Sequence, residues 1–97
     1  MAIAAEQGNI HAQCDLGWMY SKGWGVEQND VLAVHWYTKA AEQGNAIAQN
    51  NLGWMYYNGR GVEQSDAQAV YWYKKAAEQG NDNAQYYLNR MRQDGRA

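Results

Sequence analysis

Ala4-Ala5-Glu6-Gln7-Gly8-Asn9 recurs letter for letter at Ala40–Asn45 and again at Ala76–Asn81, thirty-six residues apart each time. A fixed period of this length marks an array of short supersecondary units, none of which can bury its apolar face alone. Working outward, residues 4–39 align with 40–75 without a gap, and roughly two-thirds of the positions are identical. Leu16-Gly17-Trp18-Met19-Tyr20 is matched by Leu52-Gly53-Trp54-Met55-Tyr56, and Gly23, Gly25, Val26, Glu27 and Gln28 by Gly59, Gly61, Val62, Glu63 and Gln64. Ala33-Val34, Trp36-Tyr37 and Lys39 return as Ala69-Val70, Trp72-Tyr73 and Lys75.

The local signals give each unit its form. Glycine just past a helix end takes the left-handed conformation cheaply and asparagine is a strong N-cap, so each Gly-Asn pair is a tight helix-to-helix turn. Leu16, Met19 and Tyr20 fall on one helical face after Ala12, and Gly23-Trp24-Gly25 breaks that helix. Asn29 and Ser65 cap the next helices, followed by Asp30 and Asp66, whose charges suit a helix N-terminus. Each unit therefore reads as helix A, a glycine-rich loop, helix B and a Gly-Asn turn. The whole is an all-α superhelical solenoid of about two and a half 36-residue helix-loop-helix repeats. Within a single domain spanning residues 1–97, the sequence predicts a helix-B stub over 1–8, repeats over 4–39 and 40–75, and a partial capping repeat over 76–97. At the far end Leu88-Asn89-Arg90-Met91-Arg92 replaces Leu-Gly-Trp-Met-Tyr, as a capping helix requires. Gly17 and Gly53 are expected where helices approach closely.

These residues resemble the Sel-1-like repeat family, a relative of the tetratricopeptide repeats. The matching positions are Ala12, Leu16, Gly17, Tyr20, Gly23, Gly25, Val26, Ala33, Trp36, Tyr37, Lys39, Ala40, Ala41 and Gly44, with their counterparts in the second unit. The resemblance implies an adaptor that binds a protein or peptide partner on a concave face lined by the A helices. It also brings an alternative, because some family members are linked to peptidoglycan or β-lactams: an envelope-associated modulator or weak enzyme. Some secreted members staple each repeat with a cysteine pair, and this chain, with one cysteine, departs from them.

Composition narrows the classes further. The chain has five tryptophans and eight tyrosines but no phenylalanine and no proline, and a formal net charge of −2. Nothing in it supplies the basic patch that nucleic acid needs, and no run is long and apolar enough to span a membrane. No signal-peptide pattern is present, so a reducing, cytoplasmic setting is favoured unless a leader precedes this segment. Neither a catalytic triad nor a phosphate loop is legible, which favours a non-enzymatic role without a cofactor. His11, Cys14 and Asp15 stand at i, i+3 and i+4 and could in principle converge on a metal. Their counterparts Ile47, Asn50 and Asn51 argue instead for variable surface positions, with Cys14 a small semi-apolar surface residue. His35, aligned with Tyr71, is expected to pack between units.

In an array the fixed positions build the fold and the variable ones address the partner. By the family resemblance the inward stripe runs through Trp18 and Ser21, then Asn50, Trp54 and Tyr57, then Tyr86 and Arg90, at the i, i+3, i+7, i+10 spacing of one helical face. Rigid aromatics beside adaptable hydrogen-bonding groups suit a binding surface. Glu42, Gln43 and Lys74 are assigned to the outer face. The uncovered N-terminal stub, Met1 to Ile3, is expected to fray or to support weak self-association.

Overall fold

Why six helices form, and where they stop, follows from residues that recur every thirty-six positions. A computed structural model describes residues 2–97 and contains α1 (Ala2–Glu6), α2 (Ile10–Lys22), α3 (Asp30–Glu42), α4 (Ala46–Asn58), α5 (Asp66–Glu78) and α6 (Asp82–Gln93), with no strand among the described residues. Met1, assigned by the sequence to the N-terminal stub, lies outside the described residues. The five full helices after a short stub are those expected from the repeat.

Each start is a side-chain cap. Asn9, Asn29, Asn45, Ser65 and Asn81 each accept from the backbone N–H three residues on, at 2.8–3.2 Å, satisfying a donor that the helix leaves orphaned. The A helices end where Gly23 and Gly59 turn left-handed. Gly8, Gly44 and Gly80 do the same between units, with φ near +90°.

Small residues set the spacing. Ala33, Ala40, Ala48, Ala69, Ala76 and Ala84 are fully buried, so the helices lie close enough for one large ring per unit to bridge them. In the first unit that ring is Tyr37, lying flat on Gly17: a Cβ at Gly17 would sit 2.6 Å from it. In the second it is Tyr73 on Gly53, with a corresponding distance of 2.9 Å. The expected close approach is thus a tyrosine ring seated on a glycine.

Successive units are latched by pairs thirty residues apart. Gln43 Nε2 donates to Gln13 Oε1 at 2.6 Å, and Gln79 Nε2 to Gln49 Oε1 at 2.9 Å. The buried Gln13 and Gln49 in turn donate to the Ala5 and Ala41 carbonyls, so both ends of each of these two amides are paired. A second latch joins Arg60 to Asp30 and Arg96 to Asp66, each at 2.8 Å. Gln43, expected as an inert outer-face residue, therefore belongs to the joint between units.

The stack measures 41 × 24 × 17 Å. No helix among the described residues is long and apolar enough to cross a membrane.

Candidate functional site

The A helices carry the variable stripe, and the repeat builds the same junction twice: α2 beside α4, then α4 beside α6. The two junctions differ in what fills them. Between α2 and α4 lies an open notch of about 170 Å³, lined by Trp18, Ser21, Lys22, Tyr37, Asn51, Trp54 and Met55. Trp18 remains 42% exposed despite its size. The Tyr37 ring comes from α3 beneath, and its phenol faces the side chains of Asn51 and Ser21. Burial pushes that phenol well above the ordinary tyrosine range, so it stays protonated and can donate.

Moving thirty-six residues on replaces Ser21 by Tyr57 and Asn51 by Tyr87. Their rings close the second junction. Tyr87 stacks on Tyr73 at 5.3 Å with the planes 3° apart, and meets Tyr57 edge-on at 5.5 Å. The Arg96 guanidinium lies 4.1 Å over Tyr57 and donates to its carbonyl. The Tyr73 hydroxyl, deprived of the serine and amide that serve Tyr37, has no partner.

The sequence-derived stripe is therefore divided. Trp18, Ser21 and Trp54 come together in the notch. Tyr86 and Arg90 form a separate shallow depression on α6, where Arg90 donates to the Tyr86 hydroxyl at 3.1 Å. Tyr57 sits in the ring stack under Arg96, and the Asn50 carbonyl oxygen is buried without a partner. Neither residue lines the notch or the α6 depression. Sequence reasoning passed over Asn51 and Tyr37. Asn51 stood in plain sight as a variable position, aligned with Asp15 and Tyr87. Tyr37 was assigned to the scaffold because it recurs, yet its hydroxyl reaches the notch.

Two expectations about single residues are corrected. Cys14 is buried in the core cluster with Ala33 and Tyr37, because the close helix spacing covers this turn of α2. Its thiol pKa is pushed up to about 11 by burial, with Asp15 adding to the effect. His35 is exposed and stands edge-on to Trp36, its neighbour on α3, instead of packing between units. Among the described residues no three His, Cys, Asp or Glu side chains come close enough to share an ion.

The Sel1 repeat model matches residues 10–45 and 46–81, the same thirty-six-residue period counted from the start of each helix A. Comparison with curated proteins gives no match. Among solved structures, c5321, a protective antigen present in uropathogenic Escherichia coli strains that displays an SLR fold, is 46% identical with a TM-score of 0.93; the match covers 95% of this chain and 20% of that one. A Sel1 repeat protein from Oxalobacter formigenes is also 46% identical, with a TM-score of 0.88, over 92% of this chain and 37% of that one. Helicobacter pylori cysteine rich protein B is 29% identical, with a TM-score of 0.81, over 88% and 64%. The chain thus spans less than two-thirds of each of these proteins. The period, the tyrosine seated on its glycine and the two matched repeats have one reading: this chain belongs to the Sel1 repeat family.

Proposed function

We propose that this chain is a protein-interaction module that takes a peptide or protein partner on the concave face formed by α2, α4 and α6. Sel1 repeats act generally as protein-interaction modules, and the feature of this chain that carries the reading is the open aromatic notch on its A helices. Trp18 and Trp54 flank hydrogen-bonding groups there, the mixture of rigid rings and adaptable polar groups found at binding hot spots. α2 touches α4 and α4 touches α6, which supports placing the A helices on the inside of the bend. Asn50, Tyr57, Tyr86 and Arg90 extend the face toward α6, with Tyr86 and Arg90 as a second, shallower contact. Nothing in the site favours the peptidoglycan or β-lactam alternative. Ser21 faces the Tyr37 phenol, and Ser65 caps α5.

The reading is tested by capturing partners from a bacterial lysate on the immobilised chain, identifying them, and repeating the binding with purified partner. Trp18→Ala and Trp54→Ala should each weaken binding by about 2 kcal/mol, with the fold checked by thermal melting. Lys74→Ala, on the B-helix side, should leave it unchanged. Binding lost with Lys74→Ala and retained in both tryptophan variants would move the partner to the convex side.

A further inference from the structure

The two junctions share a skeleton, and one pair of variable residues decides whether each is open. We infer that Ser21 and Asn51 hold the first junction open as a socket for a carboxylate side chain of an extended partner segment, whereas Tyr57 and Tyr87 close the second. The inference rests on the concave-face reading above and names the chemistry that the face would accept.

Charge complementarity selects the carboxylate. The notch wall includes Lys22, and no aspartate or glutamate lines it. The two ion pairs among the described residues are Asp30–Arg60 and Asp66–Arg96, so the Lys22 ammonium is left for an incoming group. The neighbouring Arg60 guanidinium, 5.6 Å over the Trp54 ring, is already held by Asp30, which leaves Lys22 as the cation of the notch. The floor offers the Asn51 amide, with two N–H groups, and the protonated Tyr37 phenol, each with a hydrogen to donate to a carboxylate oxygen even where the Ser21 hydroxyl turns to the phenol oxygen. The indoles of Trp18 and Trp54 flank that floor and would cover the methylenes of an aspartate or glutamate, lowering the local dielectric and strengthening the bond to Lys22. About 170 Å³ has room for one such side chain rather than a whole folded element.

The second junction supplies the control that the chain has already carried out. There the same scaffold accommodates two tyrosines, Trp54 is succeeded by Arg90, and Lys22 by Asn58. The double change Ser21→Tyr with Asn51→Tyr should therefore fill the notch with the fold intact.

The probe is a phage-displayed library of random dodecapeptides, selected on the whole chain. Selected peptides should share an aspartate or glutamate, and changing that residue to alanine should weaken binding about tenfold or more, the scale of a charge-assisted hydrogen bond. Lys22→Met should do the same, and Ser21→Tyr with Asn51→Tyr should abolish binding while the melting temperature holds. Peptides without a shared acid, or binding indifferent to both Lys22→Met and the double change, overturn the socket. Should such binding depend instead on Tyr86 and Arg90, the concave face stands and only the socket falls. Binding indifferent to every A-helix substitution, or a library that yields no binder, overturns both.

Discussion

Glycines in this chain look alike in the alignment and differ in what a side chain would meet. At Gly17 and Gly53 the obstacle is a tyrosine ring, 2.6 and 2.9 Å from the added Cβ. In an unobstructed helix alanine would be better than glycine by about 1 kcal/mol, so the sign is set by the ring. Overpacking costs about 1–3 kcal/mol, and Gly17→Ala should destabilise more than Gly53→Ala. At Gly61 the obstacle is the Asp30 backbone carbonyl, with φ at +72° as well, so nothing flexible can yield and Gly61→Ala should be the worst of the three. Gly80, left-handed but with nothing within 4 Å, should lose about 1–2 kcal/mol on the same change. Urea melts of the four variants check the order, and Gly61→Ala milder than Gly80→Ala would show that the inter-unit contact is slack. Cys14 gives a second prediction at this scale. With its pKa raised to about 11, the native thiol at pH 8 should carry about a hundredfold less thiolate than one near 9, and iodoacetamide should label it only after denaturation. The thiol's contribution to stability is whole below its unfolded pKa and disappears as pH rises through 11. The glycines, caps and tyrosines were legible because they recur. The burial of Cys14 was not, because Asn50 and Tyr86 at the same position are polar or large and disguise a site that the first unit covers.

Between elements, the latches decide how firmly one unit grips the next. Their residues, Gln13 with Gln43, Gln49 with Gln79, Asp30 with Arg60 and Asp66 with Arg96, were all present in the alignment. Periodicity assigns residues to helices but says nothing of which side chains meet across thirty positions, so Gln43 read as an outer-face residue. For the same reason the stripe read as one continuous surface. Whether a junction is open depends on ring volumes converging from α2, α3 and α4, which a single-helix spacing cannot express. The Asp66–Arg96 latch makes a pH prediction. Hydrogen bonds from Arg96, and then from Gln64, hold the Asp66 carboxyl below the usual carboxylate range. A depressed carboxylate contributes stability above its unfolded pKa, near 3.9, and that contribution fades as pH falls through the lower native value. Acidification below about pH 4 should therefore loosen the α4–α6 junction, read as faster amide exchange in α6. Arg96→Ala should exchange faster at neutral pH and lose the acid dependence. An acid step that persists in Arg96→Ala would assign it to other carboxylates.

The whole molecule is asymmetric from end to end. On α6 the flank that would meet a further helix is polar: Gln85 donates to Asn89, and Arg92 donates to the same amide oxygen. Such a flank is at ease in water. The N-terminal side is not. Ile3 is 72% exposed and Trp24 66%, with Trp24 meeting Trp18 edge-on at 5.5 Å. Trp24 also occupies the position of Arg60 and Arg96, each of which clasps an aspartate at the head of the preceding helix B. At Trp24 an indole stands where the later units place a cation. Exposed rings and an isoleucine at one end favour burial against another surface at about 25 cal/mol per Å² covered, and the polar flank of α6 provides no comparable gain. We therefore expect weak self-association through the N-terminal end, two copies meeting at α1 and Trp24. Sedimentation over a concentration series should report a monomer–dimer equilibrium. Trp24→Arg, which installs the residue that the later units already use, should shift it to monomer without lowering the melting temperature, and Ile3→Glu should do likewise. A wild-type chain that stays monomeric at every concentration refutes the dimer. A dimer that survives both substitutions places the contact elsewhere, with the exposed tryptophan of the notch, Trp18, the first residue to change next.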